Sequence, residues 1–164
     1  LDQFKNGDNT SAEKITAIVT RSLMPEYRHD TILNAFGILN QMGIDFVLTI
    51  VGDGKLLPIL QELAKKLNIE SKVIFTGRIL NTQLPLLLQQ SNFYISMPIT
   101  EGVSASLFEA MASNCYPVVT DIPGNKSWIK HRENGQLITI DDTEMLADEL
   151  KYGASCPSNA RSSA

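Results

Sequence analysis

The chain has 164 residues, one domain's worth, with 43% hydrophobic and 20% charged side chains and a formal net charge of −4; at this length a single core can bury roughly 70% of the unfolded surface. The absence of clustered Lys and Arg excludes a nucleic-acid-binding face, and no 18 apolar residues run together, so no segment reads as a membrane span. Cys115 and Cys156 stand far apart and in no metal-ligand spacing, which points to a reduced, cytosolic setting.

Residues 1–14 form a leading segment. Its opening, "LDQFKNGDNT", has no signal-peptide apolar core and no initiator Met, as expected of a fragment or a processed chain. Apolar runs then alternate with segments of helical period. "ITAIVT" (15–20) reads as a strand and "DTILNAFGILNQMG" (30–43) as a helix stopped by Gly43. "DFVLTIVG" (45–52), "KVIFTG" (72–77) and "FYISMP" (93–98) are the next strands. Between them lie helical "LLPILQELAKKLNI" (56–69) and "NTQLPLLLQQS" (81–91), with Asn81 as N-cap and Pro85 in or near the first turn. "SLFEAMASN" (106–114) is a short helix, "YPVVTD" (116–121) a fifth strand and "NKSWIKH" (125–131) one or two helical turns. "GQLITI" (135–140) is the sixth strand, and "DTEMLADELKYG" (142–153) a helix with Asp142 as N-cap.

Strands rich in Val and Ile without clean alternation are expected to be covered on both faces. Strict β–α alternation then predicts an α/β fold: a doubly wound, mostly parallel, six-stranded Rossmann-like sheet with helices on both faces. The domain spans 15–153. The tail from Gly153, "GASCPSNARSSA", is small and polar; residues 154–164 are expected to be loosely ordered.

In such a sheet ligands bind outside the carboxyl ends of the strands. The loops at those ends carry Arg21, then "GDG" (52–54), Gly77 with Arg78, "PITEGVSAS" (98–106) and "DIPGN" (121–125). Tight βα turns alone would call for some of these Gly and Pro residues. The fourth loop says most. Gly102, Ser104, Ala105 and Ser106 are small and lead straight into a helix, whose first N–H groups suit a phosphate. Arg21 can bring a cation to the same phosphates. Glu109 admits two readings. "SLFE" fits a capping box with Ser106 as N-cap; alternatively the carboxylate faces the crevice and accepts two ribose hydroxyl protons. Glu101 lies at the crevice mouth, where a helix N-terminus also favours negative charge. His29 and His131 stand singly in polar surroundings and read as surface residues, and no metal site is suggested.

The stretch 101–112, "EGVSASLFEAMA", resembles the two-glutamate motif of retaining glycosyltransferases of family 4. "VTRSLMPEYRHDTILNAF", "TIVGDGKLLPILQELAKKLNI", "VIFTGRI" and "YPVVTDIPGNKSWIKHRENGQLI" are similar to other stretches of that family, in the same order. The resemblance covers roughly residues 15–140. It implies a two-domain GT-B fold of which this chain is the carboxyl-terminal, nucleotide-sugar-binding half, the amino-terminal acceptor-binding domain being missing. By position it implies that Glu101 lies at the donor sugar and the reacting centre, the catalytic place, and that Glu109 holds the ribose. N–H groups around Gly102, Val103 and Ser104 would meet the sugar, and those of Ser106 and Leu107 the phosphates. Arg21 would be the phosphate cation. Gly52 would also line the donor site, and the turn Gly77–Arg78–Ile79 would border the base.

The implied reaction moves a hexose from a nucleoside diphosphate sugar to an acceptor hydroxyl with retention, in bacterial surface polysaccharide or glycolipid synthesis. It would need neither cofactor nor metal. The expected setting is the cytoplasm, or the inner face of the membrane should the full-length parent attach there peripherally through its other domain. The alternatives are a nucleotide-sugar epimerase of the same fold and a non-catalytic nucleotide-binding module. Some positions depart from the family pattern. The place of a second phosphate cation, a lysine, holds Tyr27 and Arg28, so Arg28 is the substitute expected. Asn114 replaces a helix-ending Gly, which Asn tolerates because it too adopts the left-handed conformation. "NCYP" (114–117) is one residue longer than the common form, and the tail does not resemble the family's closing helix, which crosses back to the other domain.

Overall fold

The computed structural model describes residues 14–101 and 104–156. Six strands, β1 (Ile15–Val19), β2 (Phe46–Val51), β3 (Val73–Gly77), β4 (Phe93–Ser96), β5 (Tyr116–Thr120) and β6 (Gln136–Ile138), form one sheet in the order β3-β2-β1-β4-β5-β6. All five pairings are parallel. The helices are α1 (His29–Gln41), α2 (Leu57–Lys66), α3 (Leu84–Gln89), α4 (Ala105–Ala112), α5 (Pro123–Lys126) and α6 (Thr143–Ser155).

The central strands fail to alternate because they feed two cores. Ala17, Val19, Leu48, Ile50, Ile95 and Val118 pack with α1, α2 and α6 through Ile32, Phe36, Leu60, Leu146 and Leu150. Their neighbours Ile18, Tyr94 and Val119 point the other way and meet Leu88 of α3 and Leu107 and Ala110 of α4. Both faces are packed at β4 and β5, whose residues are all buried, as parallel strands favour; on β2 and β3, Val47, Thr49, Ile74 and Thr76 line an open groove, and Ile74 is 51% exposed. The order reverses between β1 and β4. Successive connections leave these two strands in opposite directions and open a crevice above their carboxyl ends.

The expected elements all form, with shifted ends. Asn81 is not the N-cap of α3. That helix begins at Leu84 with Gln83 as N-cap and Pro85 in its first turn, where proline's fixed φ favours a helix start. The Gln83 side-chain oxygen accepts the Leu80 N–H at 3.0 Å and holds the turn just before it. Asp142 does cap α6, its carboxylate accepting from Met145 N–H at 2.9 Å. That helix continues to Ser155, past the boundary drawn at 153. Gly153 is a packing residue rather than the start of a tail: a Cβ there would lie 2.8 Å from the Phe93 ring. Asn114 takes φ 64° after α4, as expected of its place. The Cys115 N–H then reaches back to the Ala110 carbonyl at 3.0 Å, the return typical of a left-handed helix end. Both cysteines are free thiols. Burial pushes the Cys115 thiol up to about 12, so it is no nucleophile.

The loops at the crevice edge are stitched to one another. Leu23 N–H donates to Asp53 O at 3.0 Å, and Leu56 N–H to Leu23 O at 3.2 Å. Gly52 N–H donates to Gly77 O at 2.9 Å, and Ile99 N–H to Glu26 O at 3.1 Å. The Thr120 hydroxyl donates to Pro98 O at 2.8 Å. Gly54 sits at the tightest crossing, where a Cβ would lie 2.4 Å from Leu23 O. Backbone on backbone cannot yield as a side-chain tip would. Gly54→Ala is therefore expected to lower unfolding stability by about 1–3 kcal/mol, the range for an overpacked site, read from a urea midpoint.

Candidate active site at the sheet reversal

Arg21 leaves the end of β1, and Glu101 and Ser104 follow β4. The reversal brings these residues together across 80 or more positions of sequence. Arg21 Nη1 pairs with Glu101 Oε2, and both side chains are about five-sixths buried. The same nitrogen donates to Ser104 Oγ at 3.4 Å. The guanidinium lies over the Tyr27 ring, 4.4 Å from its centroid. Burial works against the Arg21 charge, but the hydrogen bond and charge of Glu101 outweigh it and raise its pKa above the ordinary value. Glu101 is thus neither plain surface nor only a charge near a helix end.

The capping-box reading of Glu109 is overturned. Ser104, not Ser106, is the N-cap of α4: its backbone is extended and its hydroxyl accepts the Leu107 N–H at 3.3 Å. Glu109 is then the fifth residue of the helix, too far along to return to the cap. Its side chain is exposed and, among the described residues, its carboxylate makes no ion pair or hydrogen bond. It lines a groove between α3 and α4 with Asn81, Leu84, Pro85 and Leu88. Of the two N–H groups expected at the phosphates, that of Leu107 is already satisfied by Ser104. The Ser106 N–H has no partner among the described residues. Gly102 and Val103, expected at the sugar, lie outside the described residues.

The other expected residues divide. Gly52, at φ 125°, backs directly onto Arg21, where a Cβ would approach its carbonyl at 3.4 Å. The bridge to Gly77, at φ 69°, places the third turn beyond it toward the sheet edge. Arg78 is exposed there, and Ile79 packs into the α3–α4 core. Arg28 is not gathered in: its Nε pairs with Asp141 at 2.9 Å and one Nη donates to Pro25 O at 3.2 Å. The physical reason is its left-handed backbone, φ 51°, at the junction of a 3-10 turn and α1.

Three features escaped the sequence reading. Tyr27 is one. Tyr94 is another: wholly buried, it sets its hydroxyl beside Ser96 and Thr20, and burial raises its pKa, so it stays a neutral phenol. The third is His29, read as surface but only 1% exposed. The first turn of α1 lays its ring under the β1 loop, where Nε2 meets the Arg21 carbonyl at 3.2 Å. A carbonyl only accepts, so Nε2 carries the proton in the neutral ring. No local signal separates such a histidine from a surface one. Among the described residues no group of three His, Cys, Asp or Glu side chains is placed to hold a metal ion, and no helix is long and apolar enough to cross a membrane.

Residues 2–162 match the family of glycosyl transferases group 1. The chain belongs to that family. It is 32% identical over 106 residues to the N-acetyl-alpha-D-glucosaminyl L-malate synthase of Bacillus anthracis, an alignment covering 65% of this chain and 27% of that protein. The fold matches the C-terminal domain of a glycosyl transferase group 1 family protein from Francisella tularensis, with a TM-score of 0.80 at 20% identity over 90% of this chain and 78% of that one. It also matches HepE of Anabaena in complex with UDP, with a TM-score of 0.79 at 17% identity over 92% of this chain and 43% of HepE. The aligned stretch thus spans about a quarter of the length of its Bacillus relative.

The family member's buried histidine carries a pH dependence. Burial, with the nearby Arg21 charge, lowers the His29 pKa to about 4 against the opposing hydrogen bond that the ring donates to the Arg21 carbonyl and the charge of Asp30. In the unfolded chain the ring titrates at about 6.5. Below that pH the unfolded state binds the extra proton, so this contribution is complete above pH 6.5 and is lost as pH falls towards 4. The loss at pH 5 should be about 2 kcal/mol relative to pH 7, at about 1.36 kcal/mol per unit. His29→Gln should flatten that part of a urea-midpoint profile.

Proposed function

We propose that this chain is the donor-binding half of a retaining glycosyltransferase, which moves a hexose from a nucleoside diphosphate sugar to an acceptor hydroxyl in the synthesis of a bacterial surface polysaccharide or glycolipid. The observation that carries the reading is the meeting of Arg21, Glu101 and the start of α4 in one crevice. A guanidinium beside helix N–H groups is chemistry for a diphosphate. Such groups stabilise a departing diphosphate where its charge develops. In this reading Glu101 stands at the sugar and Glu109 takes the ribose hydroxyls from the groove beside α3. Charge on the diphosphate is met by protein groups, without a metal. The acceptor belongs to a preceding domain, so the 164-residue chain binds donor without transferring it. UDP in the HepE complex makes UDP-sugars the first donors to try.

Calorimetry with UDP-, GDP- and ADP-sugars tests this directly; binding of none of them, or robust transfer by the 164-residue chain, would count against it. Arg21→Ala should weaken nucleoside diphosphate binding by about 1.5–3 kcal/mol, as for hydrogen bonds to charged groups, and nucleoside binding much less. Glu109→Gln should cost a similar amount with the melting temperature nearly unchanged, since no capping contact is lost. The mutant should also stop distinguishing ribo- from 2′-deoxynucleotides. Unchanged ribose discrimination in Glu109→Gln would remove Glu109 from the site.

A further inference from the structure

Arg21 is held on three sides, and the three contacts are not equivalent. Glu101 and Ser104 both engage Nη1. Tyr27 takes the flat face at 4.4 Å. A ring face occupies none of the N–H groups. Among the described residues the ion pair and the Ser104 hydrogen bond both use Nη1, while the ring holds the plane that carries Nη2 and Nε. A four-torsion side chain otherwise loses much rotamer freedom when it binds.

Tyr27 is itself well placed to do this. It closes the 3-10 turn Pro25–Tyr27. Its N–H donates to Met24 O at 3.1 Å, and the neighbouring Glu26 carbonyl accepts Ile99 N–H at 3.1 Å from the loop after β4. The ring is thus tied to the same two loops that supply Arg21 and Glu101. The next residue, Arg28, turns away to Asp141.

We propose that Tyr27 is a positioning residue of the anion site: its ring holds the Arg21 guanidinium plane so that the outward N–H groups face the diphosphate. This rests on the reading that Arg21 meets the donor's diphosphate. The Tyr27 hydroxyl also lies near enough to Arg21 to help raise the guanidinium's pKa; the proposal assigns the holding to the ring face, 4.4 Å away.

The test is calorimetry of the 164-residue chain with UDP, and with uridine as the phosphate-free control. Tyr27→Leu should weaken UDP binding about 3- to 30-fold, the span of exposed to desolvated cation–π contacts, and leave uridine unchanged. Tyr27→Phe should restore UDP binding to the wild-type value. In spectra of the free protein, the Arg21 side-chain proton resonances should move upfield under the ring in wild type and Tyr27→Phe, and lose that shift in Tyr27→Leu. Wild-type UDP affinity in Tyr27→Leu, with Arg21→Ala still impaired, overturns the positioning role alone. Equal losses in Tyr27→Phe and Tyr27→Leu overturn it in favour of the hydroxyl, and equal losses of UDP and uridine overturn it in favour of a general structural role. Wild-type UDP affinity in Arg21→Ala removes the diphosphate reading and this proposal with it.

Discussion

The Arg21–Glu101 pair depends on the reversal of strand order between β1 and β4, and the crevice is organised around it. Two side chains of opposite charge, each about five-sixths buried, meet where two connections diverge. Charges this far from water are stable only with a partner and with hydrogen bonds. Such a pair contributes little net stability compared with apolar packing, because desolvation offsets the attraction. Its physical effect is to fix position. It pins the end of β1 to the segment after β4 and so sets where α4 begins.

Ser104 carries this constraint into the helix. One hydroxyl accepts from both Arg21 and the Leu107 N–H. A single oxygen thereby aligns a cation with the positive end of a helix, two features that both favour an anion. Beneath them, the His29 ring and Gly52 close on the Arg21 carbonyl. The arginine is thus restrained at backbone and side chain alike. Hydrogen bonds then connect the loops after β1, β2, β3, β4 and β5. A shift in one loop would be felt in the next, so the loops that carry the proposed anion site restrain one another.

The two glutamates end in different environments although they share one motif. Glu101 is buried against a cation, whereas Glu109 stands exposed on the groove beside α3. Helical geometry separates them: Glu101 precedes the N-cap, and Glu109 lies more than a turn inside the helix. A carboxylate already paired differs in availability from one without a partner among the described residues.

The sequence by itself determined the six β–α units, their parallel arrangement and the edge on which polar loops gather. Local hydrophobic runs, turn residues and strict alternation carry that information, and parallel connection leaves few topologies. It also determined Asn114 as a helix-ending residue, because left-handed tolerance belongs to the residue type. Tertiary structure decided the rest. "SASLFE" contains two serines that could cap, and only the extended backbone at Ser104 selects between them. Tyr27 and Arg28 are neighbours in sequence, yet one lies under Arg21 and the other at Asp141, because the chain turns left-handed between them. His29 is buried by contact with a loop that its own segment does not specify. Local sequence encodes backbone preference and apolar periodicity. Which polar side chains meet is set by strand order, and strand order emerges only when the whole sheet has formed.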